Sequence, residues 1–174
     1  IDEGASILIL SDRDIGPDWI PIPSLLALSA LHHRLISNGR RMRAGIIVES
    51  AEPREVMHLA LLVGFGAGAV NPYLGLETIA SMARHDTLPK AIAEDKAIAN
   101  YVKALRKGLL KTMSKMGISA VSSYQGAQIF EAVGIDQVVI DQYFCGTSSR
   151  IRGVGLEEIA QESRARHARA YGVR

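Results

Sequence analysis

The sequence has little cysteine, almost no charge imbalance and no long apolar run, and each shortage excludes a class of protein. A single cysteine, Cys145, among 174 residues cannot form an internal disulfide. A disulfide-stapled secreted fold is therefore excluded, and a cytoplasmic setting is the expectation. No apolar stretch approaches the roughly 18 residues that a helical membrane span needs, and the first residues lack the basic-then-apolar pattern of a secretory signal. The 20 basic and 18 acidic side chains leave a formal charge of +2, too even a balance to imply nucleic acid. Neither a membrane nor a nucleic-acid partner is expected. What is present is ample apolar material, 48% of the residues, on a chain long enough to bury about 70% of its unfolded surface in one domain. The whole of 1–174 is read as that one domain. Its first residue is Ile1 rather than Met, and Ser6 to Leu10 already reads as a strand. The chain is therefore expected to be a segment of a longer polypeptide.

Short β-rich runs alternate with longer stretches of helical period, the pattern of parallel strands joined by helical crossovers. The predicted strands are Ser6–Leu10, Ala44–Val48, Ala67–Val70, Ile118–Val121 and Gln137–Ile140. Helices are predicted from Ser24, as N-cap, to Asn38-Gly39, from Pro53 to Gly64, and after Asn71-Pro72 through about Arg84. Further helices are predicted over Lys90–Met116, Tyr124–Val133 and Leu156–Tyr171, with a Gly/Ser/Thr/Arg loop from Cys145 to Gly155. Five strands are too few for a closed eight-stranded barrel of about 250 residues. The expected fold class is thus α/β, with parallel strand–helix units forming a partial, rudimentary TIM-barrel-like domain.

In parallel α/β folds chemistry sits at the carboxyl ends of strands, which directs attention to Asp12, Glu49, Asn71, Ser122 and Ser123. As caps and loop anchors these residues need no catalytic role. Ser122, Ser123 and Gly126 would open a helix whose N–H groups and dipole favour an anion such as phosphate. The loop carrying Ser148, Ser149 and Arg150 combines donors, glycines and guanidinium groups that could hold a phosphate or carboxylate. Gly64-Phe-Gly66-Ala-Gly68 follows a helix rather than a strand and is rejected as a dinucleotide loop. Glu55 with His58 is half of a di-iron spacing, and His32 and His33 diverge on their helix, so no metal site is predicted. Cys145 is read as a structural thiol. Lys103, Lys107, Lys111 and Lys115 form a stripe on the long helix, read as a solvated face. No catalytic constellation and no cofactor site are visible from the residues alone.

Longer stretches carry a resemblance. Gly45-Ile-Ile-Val-Glu-Ser50, Arg54-Glu-Val-Met-His58, Ala69-Val-Asn-Pro-Tyr-Leu74 and Glu77-Thr-Ile79 are followed by Leu105-Arg-Lys-Gly-Leu-Leu-Lys111 and Met113-Ser-Lys-Met-Gly-Ile-Ser119. Ser123-Tyr-Gln-Gly-Ala-Gln-Ile-Phe-Glu-Ala-Val-Gly134 and Gly146-Thr-Ser-Ser-Arg150 complete the series. In this order and over almost the whole chain they resemble the central domain of glutamate synthase, its C-terminal part. The resemblance implies an oxidoreductase of ammonia assimilation that converts glutamine and 2-oxoglutarate to two glutamates. It also implies that ammonia passes by an internal tunnel from a glutaminase domain to an FMN-binding domain. FMN, an iron-sulfur cluster, and NADPH or ferredoxin as electron donor are implied for the intact enzyme, with a small NADPH-oxidising subunit in many bacteria. None of those groups is assigned to residues here. The glutaminase nucleophile of the family is an N-terminal cysteine and its cluster needs several cysteines, whereas Cys145 stands alone.

The expected role is a connector that positions the glutaminase and FMN-binding domains of the same chain. Asn71, Ser122, Ser123, Gly126, Ser148, Ser149 and Arg150 are the candidates for lining a domain junction or binding an anion. The alternative is a stand-alone α/β enzyme domain binding a phosphate or flavin. An antibody against this segment distinguishes the two: in a lysate of the source cells it is expected to reveal a band many times larger than 18.8 kDa.

Overall fold

Alternation of side chains sets the first strand. In β1 (Ile7–Ser11) Leu8 and Leu10 turn inward, while Ile7 and Ile9 are 58% and 62% exposed, as expected for a strand with one covered face. The computed structural model describes residues 1–172. In it β1 pairs in parallel with β2 (Gly45–Glu49), which pairs in parallel with β3 (Ala69–Asn71). The strand order β1-β2-β3 follows the chain. α1 (Ser24–Ser37) and α2 (Val56–Gly64), the two crossovers, lie on the same side of the sheet, as crossovers of one hand in that order require. There Leu28 and Leu35 of α1 and Leu62 of α2 meet Ile46 and Val48 of β2, each 6% exposed or less. Ile7, Ile9 and Ala69 stand exposed on the other face.

α3 (Tyr73–Arg84) packs against α4 (Glu94–Lys115), which also packs against α2. Glu94 and Asp95 in the first turn of α4 and Lys115 in its last turn complement the helix dipole. A second apolar cluster forms around Val63, Met113 and Tyr124, with Leu109, Ile118 and Phe130 beside them. A single turn, α5 (Val121–Tyr124), leads to β4 (Glu131–Ile135), α6 (Gln137–Tyr143) and β5 (Ser148–Val154). β4 and β5 make a separate two-stranded parallel sheet. α7 (Leu156–Tyr171) follows, and none of its residues is fully buried.

The structure corrects the sequence reading in its second half. Ile118–Val121 is not a strand. The Gly117 amide bonds to Ser114 O at 3.1 Å and the Ile118 amide to Met113 O at 3.0 Å, with Gly117 at φ +72°. That is a Schellman ending of α4, and Ile118 is the apolar residue that packs back on it. The helix predicted over Tyr124–Val133 stops at Tyr124, because Gly126 (φ +74°) and Gln128 (φ +53°) turn the chain into β4. Gln137–Ile140 is helix rather than strand, with the Asp136 carboxylate accepting from the Val138 amide at 2.8 Å as N-cap. A short apolar run is ambiguous between the two periods. The predicted loop from Cys145 to Gly155 contains β5. At the start of α1 the Ser24 side chain makes no capping bond; Pro23 is the N-cap, and the Ser24 amide donates to Glu52 Oε2 at 2.7 Å.

The α2–β3 turn is held by Arg41. Its guanidinium donates to His32 Nδ1 at 2.9 Å, Ala44 O at 2.9 Å and Gly66 O at 2.8 Å. Gly66 lies at φ +109°, and a Cβ there would run into the His32 ring. Because Nδ1 accepts from Arg41, His32 must be unprotonated at that atom. Burial, then the charge of Arg41, pushes its pKa down from 6.5 to about 4, and burial lowers that of His33 too. The unfolded chain therefore takes up protons first as acid is added. The stability His32 contributes is present above pH 6.5 and is lost as pH falls toward 4, and His33 acts in the same direction. Thermal melting should show the midpoint dropping across that window, and His32→Gln should reduce the drop.

Candidate functional site

Three parallel strands bring their carboxyl ends to one edge, so the polar residues that close them converge. The register aligns Ser11, Glu49 and Asn71. Glu49 Oε2 accepts from Ser11 Oγ at 2.7 Å, and Oε1 accepts from Arg13 Nε at 2.8 Å and Asn71 Nδ2 at 3.1 Å. One carboxylate thus joins the ends of all three strands. The hydrogen bond from Arg13, then that from Ser11, holds Glu49 ionised below the usual carboxylate range. The Arg13 guanidinium also lies 4.3 Å from the centre of the Tyr73 ring and 3.8 Å from Glu77.

Asp12 organises the adjoining loop. Its carboxylate accepts from Ser50 Oγ at 2.6 Å and from the Ala51 amide at 3.1 Å. Burial, then the neighbouring Asp12, pushes the pKa of the Tyr73 hydroxyl up to about 12. A cleft of about 510 Å³ opens beside this edge, lined by Ser11, Asp12, Asp14 and Glu49 together with Trp19 and Ile20. Its three carboxylates disfavour an anion. α7 reaches the same end of the sheet: His167 Nε2 lies 2.7 Å from Gly16 O, and Arg166 3.4 Å from Glu52. The arrangement fixes loops against one another, since the Glu49 and Asp12 carboxylates are both bound to protein donors.

Of the predicted site residues, the structure brings together Asp12, Glu49 and Asn71. Ser122 and Ser123 are exposed within the single turn of α5, away from that edge. They open no long helix, because the chain turns at Gly126. The Gly126 amide donates to Gly64 O at 2.8 Å, so it is already engaged. Ser148, Ser149 and Arg150 lie on β5 rather than in a loop. Ser148 and Ser149 pair with Glu131 and Ala132, and Arg150 Nε is 3.4 Å from Glu131 with 87% of its side chain exposed. His58 uses both ring nitrogens locally, on Glu55 at 3.4 Å and the Arg54 amide at 3.2 Å. Exposed Cys145 donates to Asp141 O at 3.0 Å. Among the described residues no three His, Cys, Asp or Glu side chains group as metal ligands, and no helix is long and apolar enough to cross a membrane. Sequence reasoning missed Ser11, Arg13, Ser50 and Tyr73. Each lies within two residues of a strand end, the signal that would have found them.

Comparison with known proteins places this architecture. The family model described as the glutamate synthase central domain matches residues 1–136, and the chain belongs to that family. It is 51% identical over 171 residues to the glutamate synthase [NADPH] large chain of Bacillus subtilis, covering 98% of this chain and 11% of that one. It is 46% identical over 171 residues to the glutamate synthase [NADH] of Schizosaccharomyces pombe, covering 98% and 8%. It is 41% identical over 182 residues to the chloroplastic ferredoxin-dependent glutamate synthase of Oryza sativa subsp. japonica, covering 98% and 11%. The chain therefore spans about a tenth of the length of these relatives.

The strand-end network makes a stability prediction. Ser50 is 2% exposed, so Asp12→Ala strands a buried hydroxyl and an amide and should cost about 1–3 kcal/mol in denaturant unfolding. Asp12→Asn keeps one acceptor and should cost less.

Proposed function

We propose that this chain is a connector within a glutamate synthase, setting the distance and orientation of the glutaminase and FMN-binding domains rather than supplying reacting groups. The whole enzyme would convert glutamine and 2-oxoglutarate to two glutamates, with FMN, an iron-sulfur cluster and NADPH or ferredoxin acting outside this segment. A small NADPH-oxidising subunit would be a further partner in enzymes of the NADPH type, and the setting would be cytoplasmic. Family membership supports the enzyme. The observation that carries the connector role is the closed network of Glu49 and Asp12, placed where a parallel α/β enzyme would keep its reactive groups. Those carboxylates are spent on Ser11, Arg13, Asn71, Ser50 and the Ala51 amide. Such a network makes the strand ends rigid, and rigid positioning of two reacting centres is worth a large part of a barrier.

The domain is read as a rudimentary partial barrel. The sequential order β1-β2-β3, with α1 and α2 on one face, supports that reading. Asn71 is assigned to the junction through Glu49; Ser122, Ser123, Gly126, Ser148, Ser149 and Arg150 are surface candidates for the same contact.

The test uses the intact synthase. Glu49→Gln, which weakens the bond to Arg13, should leave glutamine hydrolysis and ammonia-dependent glutamate formation near their starting rates. It should lower the glutamate formed per glutamine hydrolysed. Loss of one half-reaction alone, in a variant that still folds, would show that the segment contributes reacting groups and would overturn the connector role.

A further inference from the structure

α4 carries five of the six lysines in the chain, Lys96, Lys103, Lys107, Lys111 and Lys115, together with Arg106. From Lys96 to Phe130 the sequence contains no aspartate or glutamate. All six cations are exposed. Among the described residues none of them forms an ion pair, whereas Arg13, Arg40, Arg43, Arg84, Arg150 and Arg166 all do. The inward side of the helix is Ala97, Leu105 and Met113, so the cations occupy the outward side. Lys103 to Lys115 run along it for about 18 Å at the helical rise.

This row opposes the stability of its own helix. Lys103, Lys107, Lys111 and Lys115 recur at a spacing of four residues, where like charges are neighbours and destabilise the helix. A solvated face needs no such uniformity; alternating signs at that spacing would serve it better. Apolar side chains adjoin the cations, with Leu110 at 52% and Val102 at 48% exposure. The one aromatic ring of the helix, Tyr101, is turned inward, its hydroxyl donating to Arg54 O at 2.9 Å. A cationic row with apolar neighbours and no outward ring fits a protein surface better than nucleic-acid bases, which are held by stacking.

We infer that this row docks an acidic face of a neighbouring domain in the same polypeptide. The inference rests on the connector role proposed above, and on the length outside this chain, about nine-tenths of each relative. The opposing carboxylates cancel the repulsion along the row, while Leu110 and Val102 bury the centre of a lasting contact.

The experiment is zero-length carbodiimide coupling of the intact native synthase, followed by peptide mass spectrometry, with acetylation of amines as a parallel footprint. Support is an amide between Lys103, Lys107 or Lys111 and an Asp or Glu outside this segment, in a product of single-polypeptide mass. These amines should also resist acetylation more than Lys90 and lose that protection in high salt. Lys107→Glu combined with Lys111→Glu should raise acetylation of Lys103 and Lys115 about tenfold by setting like charges against the partner. Full reactivity of all five amines in the native enzyme would overturn the inference. So would coupling to a second copy or another subunit, or protection removed by nuclease. The ratio of half-reactions tests the connector role separately, so either can fail while the other stands.

Discussion

The turn at the end of α2 is where the molecule is held together, because four consecutive residues, Gly64 to Ala67, are each engaged by side chains or backbone from elsewhere in the chain. Gly64 O accepts from the Gly126 amide, and a Cβ on Gly64 would meet the Phe130 ring. Phe65 stacks on Phe130 at 6.2 Å between centroids and meets Phe144 edge-on at 5.4 Å. Gly66 lies against His32 and gives its carbonyl to Arg41. Ala67, fully buried, gives its carbonyl to Gln125 Nε2 at 2.8 Å. These contacts tie the turn back to His32 and Arg41 and forward to the 125–130 stretch and Phe144. The two sheets share no strand; they are related through this turn, through Tyr124, whose hydroxyl donates to Ala60 O at 3.1 Å, and through α1 against α6, where the Ser29 hydroxyl donates to Tyr143 O.

The strand-end network is a second, independent constraint on the same body. The α2 turn fixes what lies beyond β3, and Glu49 fixes the three strands at their other extremity. A part that relates two reacting centres needs stiffness more than it needs reactivity. Carboxylates committed to protein donors supply stiffness at the edge where a related architecture would expose them to substrate.

The first half of the fold was legible because its signals were redundant. β1 and β2 had alternating or continuous aliphatic runs, and each strand was closed by polar residues and followed by an amphipathic helix. The same regularity exposed Asp12, Glu49 and Asn71, which do meet. From Ile118 to Gly155 the signals conflicted. Ile118 reads as the start of a strand but serves as the apolar lock of a helix end. Val138 to Ile140 suit either period, and β5 is too exposed to show alternation. There the outcome is set by tertiary contacts, above all the amide of Gly126 on Gly64 O, and no local pattern announces a bond between residues so far apart in sequence. The partners of Glu49 were hidden for a related reason. Arg13 and Tyr73 are unremarkable one by one, and only the parallel register places them together.

α7 introduces a gradient. It contributes no fully buried side chain, and it meets the β1–α1 and β2–α2 loops through His167 on Gly16 O, Arg166 on Glu52 and Tyr171 on Ile15 O. Contacts of this kind break at far lower free energy than a packed aliphatic core. The last helix is therefore expected to open at lower free energy than the first sheet. Its amides should exchange hydrogen sooner than those of β2, and such an opening would bare the loops around Asp12 without disturbing the strands that carry them.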